Sequence, residues 1–205
     1  MRDPRRLARI LKLRPGPRRT AELAAWFQAL YPEGAPFPVL VGGAAVELYT
    51  GGAYTTSDLD FVGELPESVA ARLLGAGFER RGRHWVHEAG KVFLELPGRQ
   101  LAPAAEPMRV ELGRVEVLTV APEALLADRL AAWKFWGSET DGASALLLLR
   151  ARGKEMNSRL AARCARELEV EDERRRLVRF ERSLEGRPIG SEEIQLWVAR
   201  KGRSR

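Results

Sequence analysis

The spacing of apolar residues changes twice along the chain, and these changes predict three regions. Residues 1–36 have helical spacing around Leu7 and in a second stretch that ends at Leu30, with Thr20 as the expected N-cap of that stretch. Residues 37–121 mostly alternate apolar and polar positions, as half-buried strands do. Residues 122–205 return to helical spacing. We therefore expect a helical N-terminal arm, an α/β core and a C-terminal helical region.

Turn residues divide these regions into individual elements, because glycine and proline favour turns over regular structure. The expected strands are 38–41, 57–62, 78–81, 84–87, 91–96, 108–112 and 115–120, with helices at 44–49 and 66–74. Five further helices are expected at 123–136, 139–152, 156–168, 171–185 and 192–199. The predicted fold class is α+β: a mixed β-sheet flanked by helices, followed by a C-terminal helical bundle.

The first predicted strand ends at a pair of glycines, Gly42 and Gly43. Glycine lets the backbone approach a ligand closely, and the helix expected from Ala44 directs its partly positive N-terminus back toward the pair. Free N–H groups and this partial charge together favour an anion. We therefore expect a phosphate chain to bind at this turn.

Asp58 and Asp60 lie two residues apart in the next predicted strand. They share one face of that strand, while Leu59 and Phe61 point into the core. Two carboxylates this close repel each other unless a cation lies between them. Mg²⁺ suits such a place, because it prefers hard oxygen ligands and often binds carboxylates together with substrate phosphates. Taken alone, the pattern is also typical of a solvated strand end; with the glycine pair it favours a metal site.

The order of strand, Gly42-Gly43, helix and residues 57–60 resembles the core signature of nucleotidyltransferases of the DNA polymerase β type. The resemblance implies a nucleotidyltransferase-like fold in which Gly42, Gly43 and Ser57 bind a nucleoside triphosphate. It also implies that the two aspartates hold one or two Mg²⁺ ions, with Mn²⁺ as an alternative. The core region 37–121 is therefore expected to carry the active site.

A third carboxylate on a neighbouring strand usually completes the metal site of this superfamily. The expected residue is Glu95, because an antiparallel meander would bring its strand toward Asp58 and Asp60. A glutamate on an edge strand can also face solvent, which is the less favoured alternative for Glu95. Glu111 and Glu116 are the weaker alternatives. The resemblance thus predicts Asp58, Asp60 and Glu95 as catalytic and metal-binding residues.

Residues 121–133 look similar to a segment of bacterial nucleotidyltransferase-like proteins related to AbiEii-type toxins. In that group a helix carries Asp-Arg-Leu, and the resemblance implies that Asp128, Arg129 and Lys134 face the nucleotide. An Asp-Arg pair inside a helix is equally typical of an ion pair, and a helix lysine is often on the surface. Toxin relatives often carry a basic residue and an aspartate on consecutive turns of a later helix. Here only Lys134 and Asp141 are available, across a break in the helix.

For two histidines and two tryptophans, the sequence favours a structural role over a functional one. His84 and His87 fall on opposite faces of a regular strand, so we expect a structural or surface role rather than a metal pair. Trp133 and Trp136 lie one helical turn apart, and we expect them to pack in a core rather than to stack on a base.

Composition bears on partners and compartment. The formal net charge is +6, and the N-terminal arm is rich in arginine, so it is either a solvated face or a surface for nucleic acid. The single cysteine, Cys164, excludes an intramolecular disulfide framework and favours the cytoplasm. No stretch is apolar enough to cross a membrane, and no apolar core of a secretory signal follows the first basic residues. The arginines of the arm that would contact RNA phosphates are expected among Arg5, Arg6, Arg9, Arg14, Arg18 and Arg19.

The resemblance therefore predicts transfer of a nucleoside monophosphate from an NTP to a hydroxyl acceptor. The acceptor is an RNA 3′ end, tRNA included, a protein hydroxyl or a small molecule. A toxin-like role would add a cognate antitoxin or another partner protein. The alternative is a nucleotidyltransferase fold retained without turnover as an antitoxin-like or RNA-binding module, because a fold does not establish an activity.

Overall fold

The computed structural model describes residues 4–199 and divides them into two compact units. The first unit contains the described residues up to Ala102 and also Pro107–Val120. The second contains Pro103–Glu106 and the described residues from Ala121 onward. Residues 1–3 and 200–205, which belong to the predicted arm and the predicted helical region, lie outside the described residues.

The first unit is built on a seven-stranded mixed sheet with the strand order β3-β4-β5-β2-β1-β7-β6. Strand β5 runs parallel to β2 and β7 runs parallel to β1, while the other neighbouring pairs are antiparallel. Sheet and helices together agree with the predicted α+β class. The strands are β1 Val39–Val41, β2 Asp58–Val62, β3 Glu79–Arg81, β4 His84–His87, β5 Val92–Gly98, β6 Pro107–Leu112 and β7 Val115–Val120.

Helices α1 Pro4–Ile10, α2 Pro17–Gln28, α3 Gly42–Thr50 and α4 Glu67–Gly75 accompany the sheet, with a 3₁₀ turn at Glu88–Gly90. The expectation that Thr20 caps the second helix is wrong. That helix begins three residues earlier at Pro17, since proline is favoured at the first helical position, where no N–H is needed. Thr20 instead lies inside α2, where its hydroxyl donates a hydrogen bond of 2.8 Å to the buried Glu47 of α3.

The alternation predicted for β2 determines which face of the sheet is buried. Leu59 and Phe61 are 3% and 0% exposed, and the Phe61 ring lies 4.6 Å from that of Phe27 on α2. Asp58 and Asp60 point to the opposite face, where Asp58 is exposed and Asp60 is half-buried. Burial of the apolar side therefore leaves the two carboxylates on the open side of the strand.

The second unit is helical, and all five helices predicted for it are confirmed. Its core contains Trp133, whose ring centroid lies 4.6 Å from that of Trp197, whereas Trp136 is 81% exposed. The prediction of a core position is thus correct for Trp133 and wrong for Trp136. Within residues 4–199, no helix is long and apolar enough to cross a membrane. The helices are α5 Pro122–Trp136, α6 Glu139–Arg152, α7 Ser158–Glu167, α8 Glu171–Ser183 and α9 Ser191–Val198.

Candidate active site

The two aspartates of β2 form the first part of the site. They lie on one face because the buried Leu59 between them turns toward the core. Ser57, also predicted to bind nucleotide, is exposed, and its hydroxyl donates to Asp58 Oδ1 at 3.4 Å. The backbone N–H of Asp58 donates to the Thr56 hydroxyl at 3.1 Å. This local bonding fixes the end of β2 from which the first carboxylate projects.

The register of the parallel pair β2–β5 adds the third carboxylate. Asp60 lies opposite Glu95, and Asp58 lies opposite Phe93, so all four side chains share one face of the sheet. Glu95 therefore lies near the aspartates, as predicted. Its strand, however, pairs with β2 in the parallel direction. These residues line a cleft of about 410 Å³, which we call the acidic cleft. Its lining residues are Asp58, Asp60, Arg81, His84, Val86, Phe93 and Glu95.

Glu95 is engaged by two residues at the turn between β3 and β4. Its carboxylate lies 3.0 Å from Arg83 Nε and 3.3 Å from His84 Nδ1, and its side chain is only 14% exposed. Arg83 Nε also donates a hydrogen bond of 3.3 Å to His84 Nε2, so the two residues contact each other as well as Glu95. The negative charge of Glu95 is thus compensated inside the first unit.

His84 is therefore a cleft residue, a position that the sequence analysis did not assign to it. The antiparallel register of β4 with β5 places His84 directly opposite Glu95. His87 points to the other face, where Nδ1 accepts from the Gly90 N–H at 3.0 Å and the ring packs edge-on against Phe78. The two histidines thus lie on opposite faces of the sheet, as predicted.

The donor set of the acidic cleft fits Mg²⁺ in its chemistry. Three carboxylates on adjacent strands supply the hard oxygen ligands that this ion prefers. As the side chains stand in residues 4–199, however, no group of three His, Cys, Asp or Glu residues is arranged to hold a metal ion. Glu95 is turned toward Arg83 and His84. A metal bound by Asp58, Asp60 and Glu95 together therefore requires Glu95 to exchange these contacts.

Gly42 and Gly43 lie at the junction of β1 and α3, next to the acidic cleft. Gly42 has φ +66°, and a Cβ atom at this position would overlap the carboxylate of Asp60. A Cβ on Gly43 would lie 3.1 Å from the Tyr54 ring. The N-cap residue of α3, Val41, makes no side-chain hydrogen bond to the helix. Glycine is thus required for Asp60 to lie against the first turn of α3.

Glu47 is a buried carboxyl in α3 that the sequence analysis did not single out. The residue is 0% exposed, and its carboxylate accepts the hydrogen bond from the Thr20 hydroxyl. Burial raises the pKa of Glu47 above its ordinary value of 4.5, because removal from water disfavours the charged form. Its sequence gave no signal of burial, since one glutamate in a helix is usually solvated.

The residues of α5 predicted to bind nucleotide make contacts within the second unit. Arg129 forms an ion pair with Asp128 and donates to Asp141 Oδ1 at 2.5 Å. Lys134 Nζ lies 3.2 Å from a carboxylate oxygen of Glu173 on α8. These contacts connect α5 with α6 and α8. A nucleotide-facing role for Asp128, Arg129 and Lys134 stays a prediction.

Glu111 and Glu116, the alternatives to Glu95, lie outside the acidic cleft. They oppose each other in the β6–β7 hairpin, and Glu116 forms an ion pair with Arg109. Strand β1 lies between β7 and β2, so neither residue is on a strand next to the aspartates. Among the three glutamates considered, Glu95 is the one that the sheet brings to Asp58 and Asp60.

Comparisons with known proteins identify no relative: no family model, no curated protein and no solved structure matches the chain. Membership of a nucleotidyltransferase family is accordingly not shown by them. What the acidic cleft does must be inferred from its own residues and from the elements that position them.

Proposed function

We propose that the first unit is a metal-dependent nucleotidyltransferase, which moves a nucleoside monophosphate from an NTP to a hydroxyl acceptor. One observation carries this proposal. The parallel register of β2 and β5 gathers Asp58, Asp60 and Glu95 on an open face, directly beside the glycine turn that begins α3. Like charges on a strand face destabilise a fold, so their concentration favours a role in binding a cation.

Asp58 and Asp60 would hold Mg²⁺, or Mn²⁺ in its place, and Glu95 would join them after leaving Arg83 and His84. When bound, the metal lowers the pKa of the attacking hydroxyl and offsets charge on the leaving pyrophosphate. The protein's own contribution is to fix the carboxylates on rigid neighbouring strands. Preorganised charge of this kind supplies much of the rate enhancement in phosphoryl-transfer enzymes.

The β- and γ-phosphates of the NTP would bind at Gly42 and Gly43. The first N–H groups of a helix have no intrahelical partner and carry partial positive charge. The absence of side chains on both glycines lets phosphate oxygens come close to these groups. Asp60, which lies against Gly42, then links the phosphate site to the metal site.

The experiment that tests this function is a transfer assay. The purified protein is incubated with each labelled NTP, Mg²⁺ and either total RNA or cell lysate, which covers RNA, tRNA and protein acceptors. We expect metal-dependent labelling of an acceptor by the parent and none by the Asp58→Asn/Asp60→Asn variant. Glu111→Gln, a carboxylate change on β6, is the matched control. A parent that labels nothing with any NTP, in Mg²⁺ or Mn²⁺, would contradict the proposal.

A second candidate function follows from the contacts of Glu95. A carboxylate held by Arg83 and His84 is compatible with a nucleotidyltransferase fold that binds a partner without turnover, antitoxin-like or as an RNA adaptor. Such a protein would leave Glu95 in its ion pairs when NTP and Mg²⁺ are added. The two functions therefore differ in what Glu95→Gln changes. If the protein is an enzyme, the substitution abolishes labelling of the acceptor. If Glu95 has only its present partners, the substitution leaves binding of the partner molecule unchanged.

A further inference from the structure

The acidic cleft extends from the aspartates toward one edge of the sheet. In the order β3-β4-β5-β2-β1, the glycine turn follows β1 on one side of β2. The other lining residues of the cleft belong to β5, β4 and β3, on the opposite side of β2. Neighbouring strands are about 4.8 Å apart, so the cleft reaches roughly 10 Å from β2 to β4. Its volume of about 410 Å³ is in the range of small-ligand sites.

If nucleotide transfer proceeds by in-line displacement, the NTP and the acceptor must lie on different sides of the cleft. The attacking oxygen and the leaving oxygen lie on opposite sides of the phosphorus atom. If the leaving pyrophosphate is held at Gly42 and Gly43, the attacking hydroxyl must approach from the side of β5 and β4. In that case the acceptor would lie in the space over these two strands.

The lining of that space combines an apolar platform with a cation. Phe93 is 38% exposed, and Val86 lies beside it in the β4–β5 register. An exposed aromatic ring at this depth suits a planar base, which stacks on it. Arg81 lines the cleft from β3 and forms ion pairs with Glu88 at 3.0 Å and Glu79 at 3.1 Å.

Those ion pairs orient the guanidinium of Arg81 but bind it only weakly. Both glutamate side chains are at least 70% exposed, and exposed pairs contribute little because water screens them. Arg81 is thus able to exchange one carboxylate for a phosphate, to which a guanidinium binds with two parallel hydrogen bonds. A serine or threonine acceptor would leave both the Phe93 platform and Arg81 without a matching group.

We propose, on the basis of the nucleotidyltransferase function above, that the acceptor is the 3′-terminal nucleotide of an RNA. Its base lies on Phe93 and Val86, its phosphate faces Arg81, and its terminal hydroxyl points toward the carboxylates. That hydroxyl oxygen bonds to the α-phosphorus of the NTP, the bond from this phosphorus to pyrophosphate breaks, and the hydroxyl proton passes to water. The product is an RNA one nucleotide longer, together with pyrophosphate.

The test measures RNA binding in Mg²⁺ without any NTP, so it does not depend on turnover. A short single-stranded oligoribonucleotide carries the fluorescent base 2-aminopurine at its 3′ end, and a second one carries it at the 5′ end. We expect the parent to quench the 3′ probe and not the 5′ probe. Phe93→Ala should weaken binding about tenfold and remove the quenching, because stacking on the ring is lost. Phe93→Leu keeps the apolar bulk and should still lose the quenching.

Matched controls come from the same unit. Phe37 is 40% exposed, nearly as much as Phe93, and Phe37→Ala should leave binding unchanged. Arg81→Gln should weaken binding and lower the slope of log affinity against log salt by about 0.7, the value for one phosphate contact on a single strand. Arg80→Gln should do neither, because the neighbouring residue in β3 points to the other face.

The outcomes separate this inference from the transfer function. A parent that labels an acceptor with NTP, yet binds the 3′ probe no better than Phe93→Ala does, overturns the RNA 3′ end and leaves the transfer function standing. Labelling confined to a protein hydroxyl would likewise overturn the RNA 3′ end as acceptor and leave the transfer function standing. Quenching that depends on Phe93, in a parent that binds no NTP, supports the RNA site and overturns the transfer reaction.

Discussion

Acidic residues have opposite surroundings in the two units. In the second unit three acidic side chains on or near α5 have a basic partner: Arg129 contacts Asp128 and Asp141, and Lys134 contacts Glu173. In the first unit, three acidic side chains face one cleft on two adjacent strands. Of these three, Glu95 is contacted by Arg83 and His84.

The acidic residues of the two units differ in how their negative charge is compensated. Glu171 of the second unit shows the structural case, because hydrogen bonds from Arg174 lower the pKa of its carboxyl below the ordinary 4.5 and hold it charged. Such a carboxylate strengthens the fold while it remains ionised. Asp58 and Asp60 gain no comparable compensation from each other, since like charges on one strand face repel. Ion-paired acids thus stabilise the second unit, whereas Asp58 and Asp60 place two like charges on one strand face of the first.

Replacing the cleft aspartates should have the largest effect. For Asp58→Asn/Asp60→Asn we expect nucleotide transfer to fall by about 100-fold or more, because the charges that hold the metal are gone. The melting temperature without metal should stay the same or rise as repulsion is relieved. Transfer rate and thermal unfolding, measured on the same samples, check both statements. A drop in melting temperature like that of a core substitution would show that these residues maintain the fold.

Breaking a pair in the second unit should have the reverse effect. Arg129→Ala leaves Asp141 without its partner, and the two side chains are only 17% and 19% exposed, so we expect a loss of about 2 kcal/mol in unfolding free energy. NTP affinity should not change. Urea denaturation and calorimetric titration with NTP provide the measurements. Arg166→Ala, an exposed arginine on α7, is the control and should change stability by less than about 0.5 kcal/mol. Intact stability with weaker NTP binding would instead support a nucleotide-facing Arg129.

Gly42, the first residue of α3, and Gly51, which follows its last residue, allow the phosphate side of the cleft to be tested. Gly42 and Gly51 have φ of +66° and +61°, so an alanine at either position strains the backbone by about 1 kcal/mol. Only at Gly42 does the new Cβ meet Asp60; at Gly51 it meets open space. Gly42→Ala should therefore weaken NTP binding as well as stability, whereas Gly51→Ala should affect stability alone. Equal NTP affinity in the two variants would remove Gly42 from the site.

Glu47→Gln should have the smallest effect, and it should be stabilising. The raised pKa means that the folded protein binds a proton more tightly than the unfolded chain does. Stability then falls as pH rises from the ordinary pKa of 4.5 through the folded value. Glutamine keeps an acceptor for the Thr20 hydroxyl and carries no charge to bury. The gain in melting temperature should be small at about pH 4 and larger at about pH 8. A gain that is independent of pH would show that the charge is not its cause.

The elements of the fold and the carboxylates of the cleft could be predicted because both leave periodic signals. Leu59 and Phe61 alternate with Asp58 and Asp60, so the strand and its two faces follow from spacing alone. The five C-terminal helices follow in the same way from apolar residues at helical intervals. The strand that carries Glu95 could be predicted because Gly90 and Gly98 mark its ends in the sequence.

Features that depend on packing between distant elements leave no periodic pattern in the sequence. The bonds from Arg83 and His84 to Glu95 require the register of β4 on β5, which only the folded sheet defines. The parallel pairing of β7 with β1 requires the order of strands, and the burial of Glu47 requires α2 to cover α3. The N-cap prediction at Thr20 failed because Pro17 starts the helix one turn earlier. Tertiary contacts decided the first three of these features, whereas the start of α2 follows from the local preference of proline for the first helical position.

Metal binding tests the central claim most directly. The parent and the Asp58→Asn/Asp60→Asn variant are titrated with Mn²⁺ in the presence of a nonhydrolysable NTP analogue, and the free ion is followed by electron paramagnetic resonance. We predict that the parent binds Mn²⁺ and the analogue together, and that the variant loses the protein-bound ion while it remains folded. Equal Mn²⁺ binding by parent and variant, beyond that of the analogue alone, would contradict a metal site at Asp58 and Asp60.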